Sequence, residues 1–237
     1  MLEWTGELRF GDFFAVYHGP AGDNDLHQHA AYQLIVAASG HANVVDEDGK
    51  VFAAKALMIH PLVPHAISAK TPLSMVYIDP QSPLAFDLTD RTESSGIVEI
   101  CDDMLPFEQD ADPTSIFASL QAAGKYPASQ LDPRLASALD ILGARPGQVA
   151  IADAAAQCDL SESRLRTLSR EQLLVPMSTW IIWRKLESAA RELSSGVSLS
   201  EAALAGGFAD QAHFTREMRR MFGITPRSAA ATLNPKQ

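Results

Sequence analysis

Gly206–Pro226, GGFADQAHFTREMRRMFGITP, decides how the rest of the chain is read. A glycine pair leads into Phe208, and Asp210 stands where a helix N-cap belongs, its carboxylate placed to accept first-turn N–H groups. Phe214, Met218 and Met221/Phe222 then recur at helical spacing and form one apolar stripe. Gln211, His213, Thr215, Arg216, Arg219 and Arg220 fill the other faces. Gly223 follows as a helix-ending glycine would, and Thr225-Pro226 marks a stop or a fresh start. Guanidinium forks suit phosphates and guanine edges, and amides suit adenine, so a helix at about Asp210–Met221 fits a duplex groove. The same face also fits an ordinary solvated helix.

An earlier stretch repeats this design. Ile151-Ala-Asp153-Ala-Ala155 matches Leu199-Ser-Glu201-Ala-Ala203, and with one residue inserted Ser161 matches Asp210, Leu165 matches Phe214 and Leu173 matches Phe222. Each copy reads as a small-residue helix, a short turn and a capped second helix, which is a helix-turn-helix unit. Ile182–Leu193 is expected as the long helix between them, with Trp183, Leu186, Ala190 and Leu193 facing the core. Two such units on one rigid chain suit successive major grooves, ~34 Å apart.

The pattern Gly207-Phe208-x-Asp210 … Phe214-x-Arg216 … Arg220-x-Phe222-Gly223-x-Thr225-Pro226 resembles the signature of the AraC/XylS family of transcription regulators. The resemblance spans roughly 149–230 and implies binding to double-stranded promoter DNA, with RNA polymerase as a further partner. The first copy is worn: Thr167 and Ser169 stand where the family has Arg and Phe, and Leu174 replaces a helix-ending Gly. The second unit is therefore expected to carry more of the base reading, through Arg216 and Arg220 with Gln211 and His213. In the first, Ser163, Arg164, Arg166 and Arg170 are expected to contact DNA, mainly its phosphates.

Charge separates the chain into two parts. Of 19 Lys and Arg against 29 Asp and Glu, residues 1–131 hold 6 against 18, and residues 132–237 hold 13 against 11. The acidic part is not expected to touch nucleic acid, and the mildly basic part is expected to bind DNA modestly. Two cysteines far apart, Cys101 and Cys158, make no disulfide framework, and no apolar run approaches a membrane span. A cytoplasmic protein is expected.

From Glu7 to Pro80 short apolar runs alternate with turns, including Tyr32–Ala38, the hairpin around Glu47-Asp48-Gly49, Ala56–His60 and Ser74–Asp79. Such spacing predicts an antiparallel barrel or jelly roll. Within it, His27, His29 and Gln33 fall on one face of an extended segment, and His65 arrives from a later strand. This resembles the cupin motifs, in which H-x-H, a Glu and a later His hold a divalent metal. Gln33 stands in place of the Glu, and Leu62 in place of the second motif's Gly. Three neutral imidazoles suit zinc, iron, nickel or copper; equally, the set reads as a packed relic, with an organic effector or none.

The fold expected is thus two-domain, α and β. An N-terminal antiparallel cupin-like barrel over 1–93 and an acidic connector over 94–131 precede an all-α double helix-turn-helix domain over 132–237. In the connector, a helix through Ser115–Ala123 presents Ile116, Phe117 and Leu120 either to a second copy in a homodimer or to the barrel. The function expected is an effector-responsive, DNA-binding transcription regulator that is not an enzyme. Its rivals are a metal-dependent cupin enzyme with a helical appendage and a helical interaction module that has lost DNA binding.

Overall fold

A computed structural model of the chain describes residues 4–68, 71–92, 95–123 and 131–233. The N-terminal strands are β1 (Glu7–Phe10), β2 (Phe14–Pro20), β3 (Tyr32–Ala37), β4 (Ala42–Asp46), β5 (Val51–Ala54), β6 (Ala56–Ile59), β7 (His65–Ser68), β8 (Pro72–Ile78) and β9 (Ile97–Glu99). They pair antiparallel into a six-stranded sheet, β1-β2-β8-β3-β6-β9, and a three-stranded sheet, β5-β4-β7. The expected barrel is therefore an open pair of sheets, still antiparallel throughout. β9 lies within the acidic connector yet completes the larger sheet.

β3 is buried on both faces because both are covered. Ile35 and Ala37 join Val44, Leu57, Ile59, Ile67 and Met75 in the core between the sheets. Tyr32, Leu34 and Val36 face the other way, under helices α1 (Pro83–Arg91) and α2 (Pro113–Ala123). This settles the two uses weighed for α2: Ile116 and Leu120 are buried at 1% exposure and Phe117 packs on Phe14. The seam lies against the sheet and is not free for a second copy.

The C-terminal part contains α3 (Pro133–Ala144), α4 (Ile151–Gln157), α5 (Glu162–Gln172), α6 (Met177–Ser194), α7 (Leu199–Ala205), α8 (Gln211–Phe222) and α9 (Pro226–Leu233). The repeat is visible as α4–α5 and α7–α8. Ser161 caps α5 by accepting from the Arg164 N–H, and Asp210 caps α8 by accepting from the His213 N–H at 2.6 Å. α6 begins five residues before its expected start. Gly223 ends α8 in the left-handed region at φ 67°; at the matching place in the worn copy, Leu174 takes the same conformation at φ 61°. Among the described residues no helix is long and apolar enough to cross a membrane.

α6 is also the bracket between the two parts. Asp79, at the end of β8 and 2% exposed, accepts from Trp180 Nε1 at 3.3 Å, Trp183 Nε1 at 3.2 Å and Arg184 Nη1 at 3.4 Å. Burial pushes its carboxyl above the usual carboxylate range, and Arg184 opposes that shift. Nearby, Arg191 donates to the Gly11 carbonyl at 2.6 Å and lies over the Phe10 ring.

Candidate functional site: an arginine-bearing helix above a histidine cluster

α8 has two unlike faces. Phe214, Met218 and Met221 are buried. Arg216 and Arg219 lie opposite them, exposed, with no hydrogen bond or ion pair among the described residues. Gln211 is exposed at the first turn. Arg220 is also exposed, though Glu217 holds it at 2.8 Å. His213 is drawn in, its ring edge-on to Phe208 at 5.2 Å, and the Thr215 hydroxyl donates back to the Gln211 carbonyl. Both are thus less available than the sequence implied.

In α5, Arg166 is held by Glu162 at 2.6 Å, and Arg164 lies 3.4 Å from Glu171. Ser163 and Arg170 are exposed. Helical spacing places Thr167 on the same outward face, at the position equivalent to Arg216. The first unit therefore offers a weaker cationic face than the second, through ion pairing and this replacement alike.

The histidine cluster forms from separate segments. His27 and His65 face each other across an isolated antiparallel bridge, so the H-x-H stretch is extended chain and not a full strand. His29 follows, Gln33 descends from β3, and the candidate ligand atoms of the three histidines lie within 4.8 Å of one another. All four side chains are buried. His60 is not part of the cluster; its ring contacts Gly96 O and Thr92 Oγ1. Leu62, in the place of the missing glycine, takes a left-handed φ of 63°, and its N–H donates to the His29 carbonyl.

Hydrogen bonding fixes the state of these rings. Each Nδ1 lies beside a backbone carbonyl: Asp25 for His27 at 2.9 Å, Ala31 for His29 at 3.0 Å, and Val63 for His65 at 2.8 Å. A carbonyl only accepts, so each Nδ1 carries hydrogen and each neutral ring keeps a bare Nε2. Gln33 Oε1 lies 3.0 Å from His29 Nε2 and 2.9 Å from His65 Nε2. Acceptors then face acceptors. Two arrangements resolve this: the carboxamide turned over, donating one N–H to each ring, or a cation shared by the ring nitrogens and the amide oxygen. Backbone carbonyls behind the rings are the support that metal-ligating histidines ordinarily have.

Burial lowers the pKa of His27 to about 3 and of His29 to about 4, and lowers His65 well below its ordinary value. A histidine whose folded pKa lies below its unfolded value, near 6.5, contributes stability above that value and loses it as pH falls toward the folded pKa. Metal-free protein is thus expected to lose stability progressively as pH falls below about 6.5, toward the lowered folded values of His27 and His29. Urea unfolding at pH 7.5 and pH 5.0 measures this; equal stabilities would mean the rings are not buried neutral.

The cluster lies directly under α8. The Phe222 ring packs on His29 at 6.0 Å, on Tyr77 at 5.6 Å and on Trp183 at 5.8 Å. Asp25 donates its N–H to the Gly223 carbonyl at 3.0 Å, and Gln28 donates to the Arg220 carbonyl at 3.4 Å, so the segment bearing His27 is bonded to the end of α8. The sequence showed both motifs but not their contact, because nothing in a one-dimensional pattern pairs residue 25 with residue 223.

Residues 154–231 match a family model described as a helix-turn-helix domain. Over most of its length the chain is similar in fold to ToxT from Vibrio cholerae. The match to the O395 crystal structure has a TM-score of 0.59 at 12% identity, covering 93% of this chain and 98% of that one. Wild-type ToxT from strain SCE256, solved with an unsaturated fatty acid bound, matches at a TM-score of 0.58 and 12% identity, over 96% and 98%. An AraC-type regulator from Chromobacterium violaceum is 26% identical over 44% of this chain and 96% of its own, at a TM-score of 0.41. No curated protein matches the chain. The chain thus joins an antiparallel sheet domain to a helix-turn-helix domain, a two-domain fold that it shares with ToxT. The matched helix-turn-helix domain includes the Phe208–Pro226 stretch on which the sequence resemblance rests.

Proposed function

We propose that this protein is a sequence-specific transcription regulator whose DNA affinity responds to an effector, a small molecule or a metal ion, held in the N-terminal domain. One observation carries the proposal. α8 turns unpaired arginines outward while its buried face and C-terminal turn are built into the N-terminal domain beside the histidine cluster. A change at the cluster therefore reaches the DNA-facing helix through direct packing. Promoter DNA and RNA polymerase are its partners and the cytoplasm its location. A homodimer must use a surface other than the buried Ile116–Leu120 seam of α2.

His27, His29 and His65 with Gln33 fit a divalent transition metal such as zinc, iron, nickel or copper: three bare imidazole nitrogens and one amide oxygen, each ring supported from behind. A bound cation would supply fixed charge and cross-linking between the His27–Gln33 segment and β7. Because Phe222 and Gly223 cover the cluster, exchange requires α8 to lift. Protein purified without tag or chelator is expected to contain near-stoichiometric metal, and His29→Ala to contain less than a tenth of it. Elemental analysis that finds none in either, after incubation with each metal, sinks the metal reading and leaves the turned-over amide.

For DNA, Arg216→Ala is expected to weaken binding about tenfold and, where the contact is to phosphate, to reduce the salt slope by about 1. Fluorescence anisotropy on a duplex selected by the protein itself, over a salt series, reads both. Unchanged affinity and slope would remove Arg216 from the interface.

A further inference from the structure

Beside the histidine cluster, the two domains leave a cavity of about 110 Å³. Trp4, Tyr17, Met75 and Tyr77 line it from the sheet domain, and Met218 and Phe222 from α8. We infer that this cavity is an effector site for a compact, uncharged, mainly apolar molecule about the size of one six-membered ring, carrying at most one acceptor oxygen. This deepens the effector-responsive reading above and rests on it.

Size sets the first limit. An apolar cavity of about 150 Å³ stays dry and holds benzene, so this slightly smaller space suits a single ring or a short branched chain. Charge sets the second. Glu187 is the charged side chain of the lining, and it is already held by Arg184 at 2.6 Å and Arg191 at 2.8 Å. A carboxylate entering here would be stripped of water beside another carboxylate, with no cation left to meet it. This sets the site apart from one built for fatty acids. Tyr77 supplies the donor handle: Tyr17 is held by the Pro20 carbonyl, and the bare Nε2 of His27, also in the lining, only accepts. The Tyr77 hydroxyl has as its hydrogen-bond partner among the described residues the weak acceptor Met75 Sδ, at 3.8 Å. A buried phenol ordinarily finds a better one. A ligand oxygen would provide it.

Position makes the site regulatory. Met218 and Phe222 belong to the buried side of the helix that turns Arg216 and Arg219 outward. Whatever fills the cavity bears on the seating of α8, and with it on DNA affinity.

The test uses the full-length chain and three ring probes: cyclohexanone, methylcyclohexane and cyclohexanecarboxylate. Calorimetry is expected to show cyclohexanone binding, methylcyclohexane binding several-fold more weakly, and the carboxylate at least tenfold more weakly. Tyr77→Phe is expected to erase the advantage of cyclohexanone over methylcyclohexane. Ala190→Leu, which fills the cavity from α6, is expected to weaken both at least tenfold, with circular dichroism confirming that each variant is folded. Saturating cyclohexanone is expected to change DNA affinity at least fivefold. No binding of either neutral ring, equal binding of the carboxylate, or indifference to Ala190→Leu would overturn the site. Binding that leaves DNA affinity unchanged would overturn its effector role. A protein that binds cyclohexanone but retains no DNA at any salt concentration would instead reject the regulator reading, leaving the cavity a ligand site without that role.

Discussion

Gly223→Ala is expected to lower stability by about 2–4 kcal/mol, or roughly 4–16 °C in unfolding midpoint for a chain of this size. Two costs combine. The residue sits at φ 67°, where a side chain is strained by about 1 kcal/mol or more. A Cβ there would also lie 2.2 Å from the Asp25 carbonyl oxygen and 3.0 Å from His27 Nδ1, so the segment carrying the histidine must move. Gly40→Ala provides the control. Its φ is the same 67°, but a Cβ would meet nothing within 4 Å, so it carries the conformational cost alone. The difference between the two variants isolates the clash. Equal midpoints would show that the joint between α8 and the His27 segment yields freely. That would remove the mechanical basis for coupling effector to DNA.

Asp79→Ala is expected to cost about 3–5 kcal/mol, the range for breaking a buried charge pair from one side. It leaves two indole N–H groups buried without their acceptor and takes from Arg184 one of its two carboxylates, leaving it Glu187 alone, in a place where Arg184 Nε already has no partner among the described residues. Asp79→Asn separates charge from shape: its oxygen can still accept from one indole, but its NH2 must face another donor, so a substantial loss is still expected. The double variant Asp79→Ala/Arg184→Met should lose less than the two single losses combined, because the contact between these two side chains is counted in both single losses. Chemical denaturation measures the wild type, the three single variants (Arg184→Met included) and the double variant. A loss near zero for Asp79→Ala would mean that this bracket does not hold the domains together.

The helical half was legible because its signals are local. N-caps at Ser161 and Asp210, the apolar positions Leu165 and Phe214, and the terminal Gly223 each act within a few residues. The strands were legible through turn residues and short apolar runs, although β9 and α1 were not, their segments being mixed in composition. The convergence of His27, His29, Gln33 and His65 followed from alternation along extended chain. Departures from family glycines were visible too, but not their outcome: Leu62 and Leu174 keep the glycine conformation at 63° and 61°. What stayed hidden depends on packing between distant parts. The bracket of Asp79 with Trp180 and Trp183, the Phe222 cover over His29 and the interdomain cavity all join residues more than 100 positions apart, and no sequence period records such pairs.

The bond from Asp25 to Gly223 has a further consequence for the proposed regulator, because influence between two sites is reciprocal. If filling the sensor alters promoter affinity by some factor, promoter must alter sensor affinity by the same factor. The promoter then acts as a ligand that tunes the sensor. Molecules seated on DNA and molecules free in solution would respond at different effector concentrations, and the number of promoter copies would help set the threshold of the response.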